Sequence, residues 1–387
     1  MAVKAQTIRV GVVGLGAVAQ SVHLPLLQRR WDLFELVAVA DLSESTACAV
    51  GGQFGVGPSH RYTSLTAMLD GEKLDGLFIL TSGSHGAPAE ECLRRGIAVF
   101  CEKPLAFSLA EIGRIEEAER AADRPLLLLG YMKEYDPAVL TLRDRLPDPS
   151  MIRYVNVEVL HPSGPSQFDY ANLRPPAHDI DAGALSQLIA ADKEAIARAI
   201  GAEVPVGFGD LYTNVILGSL IHDISLVRAL FGSIQTVDSA ILWAQQDGPG
   251  SIEVSGRLGG DARVHLHWHY MADYPRYRET VTVHHTTGSL ELEFTVPYLL
   301  NAPTELRIVS RAGNGESVEV VRTVTEAFEQ ELVAFHRMVT AGIAPPTGSA
   351  QGRRDVVTGQ QIARALAAGQ GASLTGEAAQ APVNVYT

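Results

Sequence analysis

The chain has 387 residues, which is enough for about two domains with cores of their own. Hydrophobic residues make up 46% of it and charged residues 19%, an ordinary composition for a soluble protein. The net charge of −13 disfavours nucleic acid or an anionic membrane as a partner, because phosphate groups repel an acidic surface.

The first 130 residues alternate short apolar runs with helical patterns. The runs show no polar alternation, so both faces of each strand should be covered, as in a parallel sheet. They occupy residues 8–14, 34–40, 76–81, 97–101 and 125–130. Strand-helix-strand repetition predicts a doubly wound parallel sheet, an α/β Rossmann domain, over residues 1–130.

Beyond this point apolar and polar residues alternate at period two. The segments with this pattern are residues 151–161, 251–258, 262–270, 279–285 and 289–296. They predict an open-faced, mostly antiparallel sheet with helices on one face, in an α+β domain over residues 131–375. Residues 163–209 are interpreted as an insertion over a cleft, and residues 376–387 as a loosely ordered tail.

A glycine motif lies between the first predicted strand and the first predicted helix. In VGVVGLGAVAQ, Gly14 permits a tight turn, Gly16 lets a pyrophosphate approach the backbone, and Ala19 lets helix and strand pack closely. The helix N-terminus would add unpaired N–H groups and a positive dipole end. In this strand-turn-helix context the motif predicts a dinucleotide site.

Asp41 follows the second strand, where a ribose-binding acid is expected. Its carboxylate would accept hydrogen bonds from the ribose hydroxyls and repel a 2′-phosphate. The following residues, DLSES, include no arginine, which favours NAD and leaves NADP possible. The alternative is that Asp41 is a helix N-cap, a role that Ser43 could take instead.

With these features in hand, the chain resembles the glucose–fructose oxidoreductase / inositol dehydrogenase / MocA (Gfo/Idh/MocA) family over nearly its whole length. The segments that carry the resemblance are GVVGLGAVAQSVHLPLL, LFILTSGSHGAPAEECLRRGIAVFCEKPLA and GYMKEYDPAV. The resemblance implies NAD(P) as the cofactor. It implies cofactor contacts from Gly14, Gly16, Ala17, Val18, Asp41, Thr81, Ser82, His85, Glu102 and Lys103.

The stretch VFCEKPLA places two charged residues at the end of an apolar strand. Ligands of open α/β sheets bind outside the carboxyl ends of the strands. The resemblance implies that Glu102 contacts the nicotinamide-side ribose and that catalytic Lys103 reaches the substrate hydroxyl. It also implies that the peptide joining Lys103 to Pro104 is often cis. The alternative is a surface salt pair.

The helix pattern GSLIHDISLV contains His222, which the resemblance identifies as a catalytic and substrate-binding residue. An imidazole can take a hydroxyl proton as hydride leaves the same carbon. Many family members carry Asp four residues earlier, where this chain has Gly218. On a regular helix Asp223 points elsewhere and cannot replace that acid. The alternative for His222 is a core histidine bonded to a carbonyl group.

One segment could supply the missing polar group. Asp179, Asp181 and His178 lie in AHDIDAG, and Asp179 is predicted to bind substrate. The alternative is that these acids cap the helix that starts near Ala182. Lys133, in GYMKEYDP, lies where the resemblance implies a basic residue at the cleft, so it is predicted to bind a substrate hydroxyl, phosphate or carboxylate. The alternative is that Lys133 pairs with Glu134 or Asp136 on the surface.

His265, His267 and His269 alternate along one strand and therefore face the same side of the sheet. No acid or cysteine lies at ligand spacing beside them in the sequence, so we expect no metal. We expect the histidines to line the open face of the sheet, where subunits would meet.

The leading hypothesis is an NAD(P)-dependent oxidoreductase acting on a CH–OH group of a sugar, cyclitol or similar polyhydroxylated metabolite. Two alternatives stay open. A tightly bound NAD could support oxidation, elimination and reduction, or the protein could be a nucleotide-binding sensor without catalysis. The expected assembly is a homodimer or homotetramer through the open sheet face.

The remaining signals concern location. Cys48, Cys92 and Cys101 share no metal or redox spacing and are expected to be buried cysteines of a reducing compartment. The chain runs directly into a strand without a leader-like apolar region. No apolar run approaches the roughly 18 residues of a membrane span. A cytoplasmic protein is therefore expected.

Overall fold

The structure is a computed structural model that describes residues 6–175, 177–243 and 248–381. The chain divides into two compact units. The first comprises Met1–Tyr131, Ala171–Ile196 and Phe328–Arg353, and the second comprises Met132–Tyr170, Ala197–Ala327 and Arg354–Thr387. Two segments that were predicted to lie in the second domain, Ala171–Ile196 and Phe328–Arg353, belong to the first unit.

The first unit is built on a six-stranded parallel sheet with the strand order β3-β2-β1-β4-β5-β6. The strands are β1 (Ile8–Val13), β2 (Phe34–Ala40), β3 (Arg61–Tyr62), β4 (Gly76–Ile79), β5 (Ala98–Glu102) and β6 (Leu127–Gly130). This order confirms the predicted doubly wound fold and reverses between β1 and β4, where such folds bind dinucleotides. The two-residue strand β3 was not predicted.

Twelve α-helical segments lie within the described residues. They are α1 (Leu24–Arg29), α2 (Glu44–Gln53), α3 (Leu65–Gly71), α4 (Gly86–Arg94), α5 (Leu109–Arg120), α6 (Pro137–Asp144), α7 (Gly164–Phe168), α8 (Ala182–Ile200), α9 (Phe208–Asp210), α10 (Ile221–Phe231), α11 (Ala327–Ala341) and α12 (Ser349–Gly369). Local sequence sets several of their starts. Ser43 caps α2, and Ser108 with Glu111 forms a capping box on α5.

The second unit is built on an eight-stranded sheet with the order β14-β13-β12-β11-β7-β10-β9-β8. The strands are β7 (Ile152–His161), β8 (Thr236–Trp243), β9 (Ser251–Arg257), β10 (Arg263–Tyr270), β11 (Arg278–His285), β12 (Gly288–Phe294), β13 (Glu305–Ala312) and β14 (Gly315–Arg322). Only the β7–β10 pair is parallel, which confirms the mostly antiparallel prediction. Strands β8, β13 and β14 were not predicted.

The two faces of this sheet differ in the way that the period-two pattern predicts. On β10, Val264, Leu266 and Trp268 are buried, whereas the histidines between them are half-buried on the opposite face. Nε1 of Trp268 donates a hydrogen bond of 2.8 Å to Oγ of Ser219. The helical stretch that carries Ser219 therefore packs on the apolar face.

That stretch runs from Phe208 to Phe231 and is not a regular α-helix. A π-helix over Leu211–Leu220 separates α9 from α10. By length and composition alone this 24-residue stretch is apolar enough to cross a membrane, contrary to the sequence expectation. In the structure 56% of the most apolar part of this stretch is buried inside the protein. A helix that packs in a protein core carries apolar residues of this kind.

Two smaller expectations were wrong. Cys48 is exposed, although Cys92 and Cys101 are buried as expected. The beginning of the supposed tail forms a 3-10 helix, Glu377–Gln380, in which Ala378 is buried. The rest of the supposed tail, residues 382–387, lies outside the described part of the chain.

Candidate functional site

The glycine turn after β1 has the backbone that a dinucleotide motif requires. Gly14 has a φ of +85°, and a Cβ there would lie 2.6 Å from the backbone N of Thr81. Gly16 is exposed, and a Cβ there would meet nothing within 4 Å. Space therefore exists beside Gly16 for a pyrophosphate, so the residues present fit a bound dinucleotide.

Asp41 lies directly after β2 and is oriented by two backbone groups. Its Oδ2 accepts a hydrogen bond of 2.9 Å from Leu15 N, and its Oδ1 accepts one of 3.0 Å from Ser43 N. The N-cap of α2 is Ser43, whose Oγ accepts from Thr46 N, so the alternative role for Asp41 is excluded. The carboxylate is thus held at the rim of the glycine turn.

The loop after β4 carries the predicted contacts Thr81, Ser82 and His85. The imidazole of His85 is buried, with Nδ1 2.6 Å from the carbonyl oxygen of Pro104 and Nε2 2.7 Å from that of Thr81. His85 therefore joins this loop to the segment after Lys103.

The other predicted cofactor contacts in the first unit are accessible. Ser82 is exposed, and Ala17 and Val18 are half-buried at the start of the helical segment after the glycine turn. All of them follow the carboxyl ends of β1 or β4, the pair of strands at which the order of the sheet reverses. This is the position that the strand-end rule predicts.

Glu102 is a buried acid with fixed partners rather than a surface ion. Its Oε1 lies 2.8 Å from Nε2 of His23, and its Oε2 accepts from Lys103 N at 3.2 Å. Burial alone would raise the Glu102 pKa. The hydrogen bond and charge of His23, with the charges of Lys103 and His85, outweigh burial and lower that pKa. The alternative of a surface salt pair is therefore wrong for Glu102.

The ring of His23 is fully buried and is itself held by aromatic neighbours. Phe100 and Phe328 meet it edge-on, with ring centroids 5.2 Å and 5.7 Å away. The histidine lies within the quoted sequence GVVGLGAVAQSVHLPLL but was not singled out. A histidine in an otherwise apolar helix pattern was the available signal.

Lys103 is half-buried directly after β5, and the Lys103–Pro104 peptide is cis, as the resemblance implied. Both carboxylate oxygens of the preceding residue, Glu102, have hydrogen-bond partners. Lys103 therefore follows the carboxyl end of β5, an interior strand of the six-stranded sheet.

His222 is the second residue of α10 and is half-buried in the second unit. The π-helix upstream changes the spacing on which the sequence argument relied. A Cβ at Gly218 would lie 3.0 Å from the carbonyl oxygen of Thr213, five residues earlier. A larger residue at Gly218 would therefore crowd the π-turn, which gives a physical reason for glycine there.

Lys133 does pair with acids, but not with those predicted, and not on the surface. Its Nζ lies 3.0 Å from Oδ1 of Asp223 and 2.5 Å from Oε1 of Glu279, and all three side chains are buried. Tyr277 donates to the other oxygen of Glu279 at 2.7 Å. These contacts disfavour the predicted contact between Lys133 and substrate, because its ammonium group already has two carboxylate partners.

The two acids named as surface partners of Lys133 have other roles. Glu134 pairs with Arg228 at 2.6 Å in a second buried cluster. Asp136 caps α6 and accepts a hydrogen bond from Thr304.

The cluster around Lys133 shifts the ionisation of its members. Burial alone would lower the Lys133 pKa, but Asp223 and Glu279 raise it. Burial raises the Asp223 pKa well above its usual value, and Lys133 only partly offsets this. Two carboxyls share one ammonium, so Asp223 readily retains a proton.

The carboxylate of Asp179 contacts the start of α2 and does not cap α8. Its carboxylate accepts hydrogen bonds from Ser43 Oγ at 2.5 Å and from Ser45 N at 2.8 Å, both at the start of α2. Asp181 does cap α8, since its Oδ1 accepts from Ala184 N at 2.7 Å. The alternative that these acids cap the helix starting near Ala182 was therefore correct for Asp181 and wrong for Asp179.

The prediction of no metal beside His265, His267 and His269 assumed that no acid lies near them, and this assumption was wrong. An acid does lie beside the row, because Glu253 on β9 pairs in register with His267 on β10. Ligand atoms of Glu253, His267 and His269 all lie within 4.8 Å of one another. The sequence could not reveal this acid, since it comes from the neighbouring strand.

Comparison with known proteins agrees with this geometry. Residues 8–130 match the model of an oxidoreductase family, GFO_IDH_MocA, with an NAD-binding Rossmann fold. This part of the chain is similar to the Gfo/Idh/MocA family. The match includes the glycine turn, Asp41 and the Glu102–Lys103–Pro104 segment.

Curated relatives match part of the chain. An inositol 2-dehydrogenase of Saccharopolyspora erythraea is 34% identical over 139 residues, which is 36% of this chain and 40% of that protein. An inositol 2-dehydrogenase/D-chiro-inositol 3-dehydrogenase of Shouchella clausii is 30% identical over 159 residues, 40% of this chain and 45% of that protein. The chain thus matches less than half the length of these relatives.

Solved structures extend the likeness of fold to almost the whole chain. A UDP-N-acetylglucosamine 3-dehydrogenase from Acidithiobacillus ferrooxidans matches with a TM-score of 0.69 and 20% identity, over 93% of this chain and 98% of that one. A 3-ketoreductase from Actinomadura kijaniata, in complex with NADP and TDP-benzene, matches with a TM-score of 0.67 and 18% identity, over 94% and 98%. Both units therefore have folds found in such proteins.

Proposed function

We propose that the protein is an NAD(P)-dependent oxidoreductase that acts on a secondary alcohol or ketone of a sugar, cyclitol or similar polyhydroxylated compound. The single observation that carries the proposal is the position of Lys103. It follows β5 at the sheet edge that carries the glycine turn, beside a buried Glu102 and before a cis proline.

The residues of the first unit support the cofactor part of the proposal. The open space beside Gly16 suits a pyrophosphate, and the oriented carboxylate of Asp41 suits the hydroxyls of a ribose. A bound nicotinamide would supply the hydride acceptor or donor. The names of the inositol dehydrogenase relatives support the polyol class of substrate.

The roles of the protein side chains follow from their chemistry. The ammonium group of Lys103 would hold the substrate oxygen and stabilise negative charge as that oxygen loses its proton. His222 would take that proton in the alcohol-oxidising direction and return it in the reverse direction. Glu102, which is buried and has a lowered pKa, would keep Lys103 oriented and contact the adjacent ribose.

The test uses the full-length protein and a panel of sugars, inositols and other polyols with NAD or NADP. Turnover is followed by absorbance of the reduced nicotinamide. Lys103→Ala is expected to lower kcat/KM by about a hundredfold or more, because one charged group that stabilises the developing alkoxide is lost. Binding of ADP-ribose, measured by calorimetry, should change little in the same variant.

Lys73→Ala is the matched control, because Lys73 is an exposed lysine of the same unit. It should retain wild-type turnover. Absence of turnover with every substrate, or equal activity in Lys103→Ala and wild type, would contradict the proposal. Product formation without net reduction of the cofactor would instead indicate the oxidation–elimination–reduction alternative.

We also propose that the protein assembles as a homodimer or homotetramer through the outer face of the eight-stranded sheet, and that it acts in the cytoplasm. Exposed apolar side chains on β8 and β14 support the choice of surface. Ile241, Trp243, Val318 and Val320 each expose more than a third of their surface. Their strands are the two edges of the sheet.

A further inference from the structure

The segment Ala171–Ile196 forms hydrogen bonds with residues that follow three strands of the parallel sheet. Arg174 donates from its backbone N to Gln20 and from its side chain to Gln53. Asp192 accepts a hydrogen bond of 3.1 Å from Ser84 N, in the loop after β4. The segment therefore reaches residues that follow β1, β2 and β4 within one unit.

Between these contacts, Asp179 occupies the start of α2. It accepts from Ser43 Oγ at 2.5 Å, from Ser45 N at 2.8 Å and from Ser45 Oγ at 2.9 Å. These hydrogen bonds lower the pKa of Asp179 to about 2, so its charge is present throughout the neutral range. The donors that this carboxylate takes are those that could otherwise bind a phosphate at this turn.

The same turn carries the ribose-binding acid. Asp41 accepts from Ser43 N, and Ser43 in turn donates from its hydroxyl to Asp179. Glu44 adds a third carboxylate, and no lysine or arginine occurs in residues 41–47. Arg61 on the neighbouring strand β3 donates to the carbonyl oxygen of Val56. A 2′-phosphate would meet acids at this turn instead of the cation that NADP enzymes provide.

We propose that Asp179 is a specificity-determining residue that excludes a 2′-phosphate from the ribose site and so selects NAD over NADP. The proposal rests on the proposed function, since it requires a dinucleotide at the glycine turn. Exclusion arises in two ways. The charge of Asp179 repels the phosphate, and its oxygens occupy the N–H and hydroxyl donors of the turn.

The test compares binding of ADP-ribose and of 2′-phospho-ADP-ribose to the full-length protein by calorimetry. Neither compound can react, so the readout is independent of catalysis. Wild type should prefer ADP-ribose. Asp179→Ala should tighten binding of the phosphorylated compound by about tenfold or more, because a repelling charge is removed and donors are released. Its affinity for ADP-ribose should change by less than about threefold.

Asp181→Asn is the control, because it alters an acid of the same segment that contacts α8 instead of α2, and asparagine also caps helices well. It should leave the preference unchanged. The inference is overturned if ADP-ribose binds and Asp179→Ala keeps the wild-type preference. Failure of wild type to bind either compound would overturn the proposed function together with the inference.

A different surface carries a second inference. The side chains of Glu253 on β9 and of His267 and His269 on β10 lie on the same face of the eight-stranded sheet, and all three are half-buried. Nδ1 of His267 lies 3.9 Å from Oε1 of Glu253. Two imidazoles and one carboxylate form a ligand set that suits zinc and neighbouring transition metals.

The spacing is within reach of coordination. Tetrahedral zinc with ligands at about 2.0–2.1 Å places its ligand atoms about 3.3 Å apart. The separations here, none above 4.8 Å, need only small side-chain rotations to reach that value. The ring of Trp243, 5.3 Å from that of His269, covers one side of the cluster. We infer a divalent-cation site at Glu253, His267 and His269, with water as the remaining ligand.

Equilibrium dialysis of the full-length protein against zinc, with metal content measured by mass spectrometry, tests this inference. We expect one zinc ion per chain in wild type, its loss in His269→Ala, and at least about tenfold weaker binding in Glu253→Gln. His265→Ala is the control, because His265 lies on the same strand face outside the cluster, and it should retain the ion. Absence of stoichiometric zinc in wild type, or its retention in His269→Ala, would overturn the inference.

Discussion

At the scale of single side chains, the pKa values of two buried glutamates are shifted in opposite directions. His23 and neighbouring positive charges lower the pKa of Glu102 despite its burial. Glu134 is paired with Arg228, but burial and the charge of Asp355 raise its pKa to about 7. The difference shows that one ionic partner does not decide the charge of a buried acid, because desolvation competes with it.

The raised pKa of Glu134 predicts a pH dependence of stability. Between the usual carboxyl value near 4.5 and about 7, the folded state holds a proton that the unfolded chain does not. The stability from this proton is complete below that range and is lost as the pH rises through 7. Glu134→Gln cannot titrate. Its melting temperature relative to wild type should therefore rise from pH 5.5 to pH 8, measured by calorimetry.

The control for this experiment is Glu316→Gln, which changes an exposed glutamate on β14. Its melting temperature should differ from that of wild type by a similar small amount at both pH values. A pH-independent difference between Glu134→Gln and wild type would contradict the prediction.

At the scale of elements, α10 is anchored by two buried ion clusters. Asp223 joins Lys133, and Arg228, five residues later, joins Glu134 and Asp355. Both clusters lie within the second unit and link α10 to segments distant in sequence. This anchoring holds the helix that carries His222 and follows directly on the π-helix.

Removing the cation of the first cluster should be costly. Lys133→Met keeps most of the side-chain volume but leaves Asp223 and Glu279 buried together without their ammonium partner. We expect a loss of about 3–5 kcal/mol in the free energy of unfolding, measured by urea denaturation. Arg276→Ala breaks the exposed pair with Glu293 and should cost less than about 1 kcal/mol. Equal losses in the two variants would contradict the prediction.

At the scale of the whole molecule, the eight-stranded sheet ends in strands that expose apolar residues. Every side chain of β14 except the half-buried Val321 is exposed, and Val318 and Val320 point to one face. Val320 pairs in register with Arg307 on β13, and Arg307 pairs with Glu291 on β12, so these three side chains lie on the same face of the sheet. An apolar edge of this kind favours pairing with another chain.

Replacing both valines tests the proposed assembly. Val318→Lys with Val320→Lys should shift the protein from its oligomer to monomers, because two charges would be placed in the contact surface. Sedimentation velocity provides the measurement. Val324→Lys changes an exposed valine outside the strands and should leave the oligomer intact. A monomeric wild type, or an intact oligomer of the double variant, would exclude this surface.

Some elements could not be predicted because their local pattern is broken or short. Strand β8 contains a register shift between Val237 and Ser239, which interrupts period-two alternation. Strand β3 has only two residues and gains its place by pairing with β2. The π-helix over Leu211–Leu220 departs from the regular spacing on which the comparison of Gly218 with His222 relied.

Features that depend on neighbouring residues could be predicted from the sequence. Unbroken apolar runs predicted a parallel sheet, alternation predicted the second sheet, and the spacing of Gly14 and Gly16 predicted the nucleotide turn. Each of these follows from local backbone geometry and from which faces are covered.

The pairing of polar groups, in contrast, depends on the folded chain. Asp179 lies at Ser43 and Ser45, Glu279 lies at Lys133, and Glu253 lies beside His267. The partners in the first two pairs are more than a hundred residues apart, and the third pair depends on the register of two strands. A charged side chain pairs with a group that packing brings near it, and the residues next to it in sequence do not predict that partner.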